Sequence, residues 1–264
     1  MSFLLQGKSV VVTGAGRGIG AAIARDLAKN GASVCVADLN IDAARGVANS
    51  IGANAIAVEV NVADRVSTVA MIAASVKAFG KLDVIFNNAG ISQTCNFMDV
   101  TEEDWHRIMD VNGLGVLIGM QEAARQMKAQ GAGGKIINTA SIAGKQGYPL
   151  FAHYCASKFA VVALTQAAAR ALAPDKITVN AFAPGVVRTE LWEQLDREFM
   201  DLGLTQKPDQ AINEFSQSIL VGRYSTPEDI TGVTTFLASS GSDYVTGQTY
   251  MVRSEEHTSE LQSR

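Results

Sequence analysis

The sequence predicts one α/β domain, a doubly wound parallel sheet with helices on both faces. Three observations point to it. Short, near-continuous apolar runs alternate with helical patterns from start to finish, as strands buried on both faces and separated by crossover helices must read. A glycine-rich turn joins the first apolar run to the first helix. No internal repeat and no linker rich in Pro, Gly or Ser divides the 264 residues, a length one α/β domain can occupy.

The elements follow in order. Ser9–Thr13 (SVVVT) is a short β-rich run, and 21–30 is an amphipathic helix that stops at Gly31. Ser33–Asp38 (SVCVAD) is the second strand. Further strands are expected at 56–60, Val84–Asn87, 135–139 and 178–182, and the last strand at 247–252. A helix is expected at 154–172. The segment 186–221 breaks the rhythm: it is long, polar and helix-prone, with Trp192, Leu195, Phe199 and Phe215 as its larger apolar residues. In an open α/β sheet, ligands sit outside the carboxyl ends of the strands, so a long excursion there is a candidate lid. An ordinary surface helical hairpin is the alternative.

Composition narrows the function. A net charge of −4 with no clustered basic patch argues against a nucleic-acid or anionic-membrane surface. Cys35, Cys95 and Cys155 are odd in number and lack CxxC spacing, which fits a reducing compartment without disulfide framework or metal site. No secretory pattern opens the chain, and no apolar run of about 18 residues exists. A cytoplasmic protein is expected.

Thr13-Gly14-Ala15-Gly16-Arg17-Gly18-Ile19-Gly20 lies between the first strand and the first helix. Glycines there let backbone approach a pyrophosphate, and the helix N-terminus supplies N–H groups and positive dipole. Asp38 ends the second strand at the spacing of a ribose-binding acid, about 20 residues on. Its carboxylate can accept hydrogen bonds from both ribose hydroxyls of NAD and would repel the 2′-phosphate of NADP. Arg17 could pair with such a phosphate, or lie solvated against adenine. Asp38 decides for NAD because it holds the ribose position, and Leu39 and Asn40 add no positive charge.

Tyr154 and Lys158 are spaced i, i+4 on a helix, hence on one face. Ser141 lies just past the strand 135–139, where substrate belongs. A phenol near pKa 10 reaches about 7 only with about 4 kcal/mol of preferential anion stabilisation. An ammonium about 4 Å away at an effective dielectric near 20 supplies about that much. Ser141 can hold the substrate oxygen and stabilise developing charge. The pattern is that of an oxidoreductase in which Tyr154 moves a proton while a nicotinamide moves a hydride.

These pieces, together with Asn87-Asn88-Ala89-Gly90, Asn112, Tyr154-Cys155-Ala156-Ser157-Lys158 and Pro184-Gly185, stand in one order. In that order the chain resembles the short-chain dehydrogenases/reductases as far as Val252. The resemblance implies a Rossmann-like fold, a homotetramer, and a catalytic group of Asn112, Ser141, Tyr154 and Lys158. Asn112 would hold a helix distortion and a water linked to Lys158. Asn87 to Gly90 would line the adenosine side and steady the central sheet. The implied cofactor contacts are Gly14, Arg17, Gly18, Ile19, Gly20, Asp38, Asn61, Val62, Asn88, Ala89, Gly90, Tyr154, Lys158, Pro184, Gly185, Val187 and Thr189. The family often has Asp where this chain has Asn61. An Asn carbonyl can still face adenine, though a strand-end turn residue is an equal reading.

Candidate pocket residues are Ser92, Gln93, Thr94, Asn96, Lys145, Gln146, Thr189, Glu190 and Trp192, mostly polar, and Asp196 follows in the same helix. With the segment 184–192 they resemble enzymes of acetoin, butanediol or sugar alcohols. A small diol, polyol or sugar alcohol is the expected substrate. A 3-oxoacyl-thioester reductase is the enzymatic alternative, and a non-catalytic dinucleotide sensor the alternative of another class. Residues 253–264 (RSEEHTSELQSR) instead match a translated DNA-sequencing adapter, where the family commonly ends its last strand in Val-Asp-Gly-Gly. The expected domain is therefore 1–252, with 253–264 non-native and His257 no part of a site. Resequencing across codon 252 tests this.

Overall fold

A computed structural model describes residues 5–217 and 219–254. Its centre is a seven-stranded sheet in the order β3-β2-β1-β4-β5-β6-β7. The strands are β1 Ser9–Thr13, β2 Ser33–Asp38, β3 Ala55–Glu59, β4 Val84–Asn87, β5 Gly134–Thr139, β6 Ile177–Pro184 and β7 Thr249–Val252, every neighbouring pair parallel. The crossover helices are α1 Gly18–Lys29, α2 Ile41–Ile51, α3 Arg65–Phe79, α4 Glu102–Met109, α5 Gly115–Gln130 and α6 Ala152–Leu172. After β6 come α7 Glu190–Asp201, α8 Gln210–Ser216 and α9 Pro227–Ala238.

The apolar strands serve two cores because successive side chains leave opposite faces. Val10 and Val12 of β1 join Ile23 and Leu27 of α1, Val47 of α2 and Ile230 and Leu237 of α9. Val11 between them joins Met71 of α3, Met120 of α5 and Val161 of α6. The strand order reverses between β1 and β4, and a ligand crevice belongs beyond the carboxyl ends at such a switch. Asp38, Asn87, Thr139 and Pro184 all end their strands at that edge.

The starts of α2, α4 and α9 carry the expected capping chemistry. Asn40 caps α2 by accepting from the N–H groups of Asp42 and Ala43. Thr101 with Asp104 and Thr226 with Asp229 form reciprocal capping boxes on α4 and α9. At α1 Arg17 makes no side-chain cap and the first turn holds no acid, a start shared with α5, α6 and α8.

Differences from the sequence reading are local. α1 starts at Gly18 rather than at residue 21, since the end of the glycine turn is itself helical. β3 begins and ends one residue earlier than expected, and β6 runs on to Pro184. Of the segment 186–221, Ser218 lies outside the described residues. Its base is pinned: Arg188 N–H donates to Ser225 O at 2.9 Å and Ser225 N–H to Val186 O at 3.0 Å. Its apolar residues form their own clusters, Leu195, Phe199 and Ala211 against Leu150, Phe151 and Phe215, and Ile212 and Ile219 with Val186. Of the tail 253–264, Arg253 and Ser254 are described, and Ser254 O accepts from Leu220 N–H at 2.7 Å. His257 and the rest lie outside the described residues. Among the described residues no helix is long and apolar enough to cross a membrane.

Candidate active site

The glycine turn leaves β1 and must pass close to the loop after β4. Gly14 has φ +62, and a Cβ there would lie 2.7 Å from Ala89 Cα. A Cβ on Gly20 would overlap the Gly14 carbonyl oxygen and crowd Asn88 Nδ2. Asn88 holds this approach: its Nδ2 donates to Thr13 O at 3.0 Å and Gly14 O at 3.3 Å, while its Oδ1 accepts from Thr139 Oγ1. Thr13 Oγ1 accepts from the N–H groups of Asn88 and Ala89 and donates to Phe86 O. Thr13 and Thr139 are absent from the residues expected for the site, yet they fasten three strand ends together. The Thr opening the glycine motif was the available signal.

Asp38 meets the same turn. One carboxylate oxygen accepts from Gly16 N–H at 2.8 Å and the other from Asn40 N–H at 2.9 Å. A carboxylate has about four acceptor positions, so each oxygen retains room for a ribose hydroxyl. Arg17 is exposed. The base of the 186–221 excursion lies over the turn as well, with Thr189 Cγ2 3.4 Å and Glu190 Oε2 3.5 Å from the Cβ position of Gly18. Asn61 Oδ1 accepts from Ala63 N–H at 3.1 Å, an Asx turn at the strand end, and its carbonyl has a second acceptor position. Val62 packs against Gly115.

Asn112 sits in a wide helical turn, Asp110–Leu114, between α4 and α5. Its Oδ1 accepts from Ile91 N–H at 2.9 Å, and its Nδ2 donates to Ile91 O and to Ser157 Oγ. The Cβ position of Gly90 lies 3.2 Å from Asn112 Oδ1 and 3.6 Å from Lys158 Nζ, so the missing side chain leaves space between these two groups. Asn87 is buried and donates to Asn138 Oδ1, which steadies the middle of the sheet.

α6 brings Tyr154 and Lys158 to the carboxyl edge of β5. Lys158 is 4% exposed, donates from Nζ to Thr139 O at 2.8 Å, and stands 5.7 Å from the centre of the Tyr154 ring. Burial holds its ammonium down to about 8. Burial also pushes the Tyr154 phenol up to about 12, against a hydrogen bond with Ser141 that lowers it. This corrects the sequence estimate, which began from an ordinary phenol. Desolvation moves the starting point away from neutrality.

The expected polar wall is partly redirected. Lys145, Gln146 and Asn96 are exposed, and Asn96 donates to Asp99. Gln93 Oε1 accepts from Arg107 and from buried His153 Nε2. Asp196 accepts from Asp209 N–H. Ser92 and Thr94 are buried with hydroxyls that have no partner among the described residues. The other wall is aromatic: Phe151 stacks edge-on to Tyr154 at 6.5 Å and tilts against Phe199 at 6.0 Å. Phe215 then links Phe199 to Trp192.

Residues 8–199 match the family model described as short chain dehydrogenase. The chain belongs to that family. The family makes it an oxidoreductase. It is 43% identical over 251 residues to the L-2,3-butanediol dehydrogenase of Corynebacterium glutamicum, covering 93% of this chain and 96% of the relative. It is 43% identical over 249 residues to the galactitol 2-dehydrogenase of Agrobacterium fabrum, covering 94% and 96%. The crystal structure of a 3-ketoacyl-(acyl-carrier-protein) reductase from Brucella melitensis complexed with NADH superposes with a TM-score of 0.85 at 33% identity, covering 94% of this chain and 97% of that one.

Proposed function

We propose that this short-chain dehydrogenase oxidises a secondary alcohol of a small diol, polyol or sugar alcohol with NAD, or runs the reverse reduction. The observation that carries the reading is the convergence of Ser141, Tyr154 and Lys158 on one strand edge beside an uncapped helix N-terminus. The residues present fit a dinucleotide. α1 opens without a side-chain cap, leaving N–H groups for a pyrophosphate. The turn before it is one that a Cβ at Gly14 or Gly20 would fill. The carboxylate of Asp38 faces that turn and favours NAD over NADP. Gly18, Ile19, Val187 and Thr189 border the same crevice, and Pro184 and Gly185 end β6 beside it.

When bound, NAD accepts the hydride and its oxidised ring carries positive charge. The protein's own groups handle the proton. Ser141 Oγ holds the substrate oxygen, and Tyr154 Oη takes the alcohol proton. From a phenol at about 12, working near pH 7 asks for about 7 kcal/mol of anion stabilisation, at 1.36 per unit. One ammonium at about 4 Å and a dielectric near 20 offers about 4 kcal/mol, and because the value of about 12 already contains the Ser141 hydrogen bond, the remaining ~3 kcal/mol falls to a second positive charge beside the phenol. Asn112 orders the loop at Ile91, and the space at Gly90 between Asn112 and Lys158 suits a water that would pass the proton to solvent.

The relatives' names favour diols and polyols over acyl thioesters, since those relatives are more similar than the reductase structure. A homotetramer fits the half-exposed Trp105, Leu114 and Phe159 around α4 to α6, and light scattering would count the subunits. We infer a cytoplasmic location from the three free cysteines. The test is turnover on a panel of diols, polyols and 3-oxoacyl thioesters with NAD and NADP. Tyr154→Phe should lower kcat by about 10²- to 10⁴-fold while NADH binding persists. Turnover that survives Tyr154→Phe unchanged refutes the mechanism, and NAD binding without turnover on any alcohol or ketone supports the sensor.

A further inference from the structure

The segment after β4 runs antiparallel to the start of α6. Gly90 lies beside Lys158, its Cβ position 3.6 Å from Nζ. Gln93 Oε1 lies 3.3 Å from His153 Nε2. Cys95 N–H donates to Leu150 O at 3.0 Å. Counting along this run brings Ser92 to the level of Tyr154. Its other side is covered by α7, where Gln194 Nε2 donates to Ser92 O at 3.4 Å and to Glu198 Oε1 at 2.7 Å. Glu198 Oε2 in turn accepts from Thr94 N–H at 2.6 Å. Ser92 therefore lies between Gly90, beside Lys158, and Gln93, beside His153, with α7 against its carbonyl, and it is 3% exposed.

Its backbone carbonyl is satisfied and its hydroxyl is not: Ser92 Oγ is fully buried and has no hydrogen-bond partner among the described residues. Buried polar groups are almost always paired, and leaving one unpaired costs stability. A hydroxyl kept in that state beside a site for an alcohol has a natural partner in the substrate. We propose that Ser92 Oγ is the subsite for the second oxygen of a vicinal diol or hydroxyketone, the oxygen next to the one that Ser141 and Tyr154 hold. The inference rests on the diol and polyol reading above and deepens it. A serine hydroxyl both donates and accepts. It therefore accepts from the second hydroxyl of a diol and donates to the second carbonyl of a diketone, which suits both directions of one reaction.

The test compares the wild type with Ser92→Ala on 2,3-butanediol and 2-butanol, which differ by that oxygen, with NAD saturating. The ratio of kcat/KM for the diol over the monoalcohol should fall about three- to tenfold in Ser92→Ala, the value of one neutral hydrogen bond. The Tm should not fall, because the hydroxyl has no protein partner to lose. Ser75→Ala removes a buried, unpaired hydroxyl on α3, far from this edge, and should leave the ratio where it was. An unchanged ratio in Ser92→Ala, or an equal shift in Ser75→Ala, overturns the proposal while leaving the dehydrogenase reading intact. Wild-type protein with no turnover on these two alcohols or on any diol or polyol of the panel overturns the underlying reading, and the subsite with it.

Discussion

Lys158 is a charged group placed where burial opposes its charge, and the cost of that placement can be measured. An unfolded lysine titrates near 10.5, and burial brings this one down to about 8 in the fold. Between those values the unfolded chain binds more protons than the folded one, so stability rises with pH through that window. Below about pH 8 both states are protonated and the penalty is complete, about 3 kcal/mol at 1.36 per unit. Integrating from about pH 7 to about pH 10 gives a gain of about 2.5 kcal/mol from this one group. Lys158→Met removes it. Urea unfolding of both proteins, followed by circular dichroism over that range, isolates the effect. Other groups titrate in both proteins and cancel in the difference. Lys158→Met should be more stable than wild type by about 2.5 kcal/mol more near pH 7 than near pH 10, and inactive throughout. The lost bond to Thr139 O shifts both ends of the comparison together and leaves its slope alone. Two curves that stay parallel across the range would refute the claim that Lys158 is held in a desolvated site.

Asp38→Ser should raise the NADP-to-NAD ratio of kcat/KM about 30-fold, because two phosphate charges about 4 Å from a carboxylate in water repel by about 2 kcal/mol. Steady-state kinetics with both cofactors reads it. Gly20→Ala places a methyl group against Gly14 O and should cost about 1–3 kcal/mol, with weaker NADH binding by fluorescence titration. Gly46→Ala, where nothing lies within 4 Å on an exposed face of α2, should instead stabilise by about 0.5–1 kcal/mol in thermal unfolding. Glu198→Ala removes the acceptor of Thr94 N–H and frees α7 from the loop after β4. It should raise KM and lower stability by about 1.5–3 kcal/mol in thermal unfolding, the worth of a hydrogen bond to a charged group.

The parts legible in sequence are those governed by local pattern. β1, β2 and β4 match their expected bounds because a strand buried on both faces shows as an unbroken run of Val, Ile and Ala, ended by a polar residue at the carboxyl edge. The glycine turn and Asp38 were legible because backbone approach and ribose recognition each demand particular residue types at fixed spacing. What spacing could not show is what a side chain is already bonded to. Asn61 was open to two readings, adenine contact or strand-end turn, and its carbonyl accepting from Ala63 N–H shows the turn. Gln93 looked like pocket wall, yet it bridges Arg107 and His153. Burial was equally invisible: the i, i+4 spacing of Tyr154 and Lys158 fixes their shared face, while desolvation, which moves one pKa up and the other down, depends on β5, the wide turn at Asn112 and the lid-like excursion meeting there.

That desolvation links stability to chemistry at this edge. The groups proposed to react are the ones whose charged forms burial resists: near pH 7 the phenol of Tyr154, at about 12, stays neutral, while Lys158, at about 8, keeps its proton at a cost in stability. A positive charge beside the phenol would offset the penalty on the phenolate. An isolated phenol at about 12 is a poor base, and this protects the site from idle proton exchange. The same logic places the excursion. Its aromatic chain from Trp192 through Phe215 and Phe199 to Phe151 ends against Tyr154, and Gln194 and Glu198 fasten it to the segment that carries Ser92.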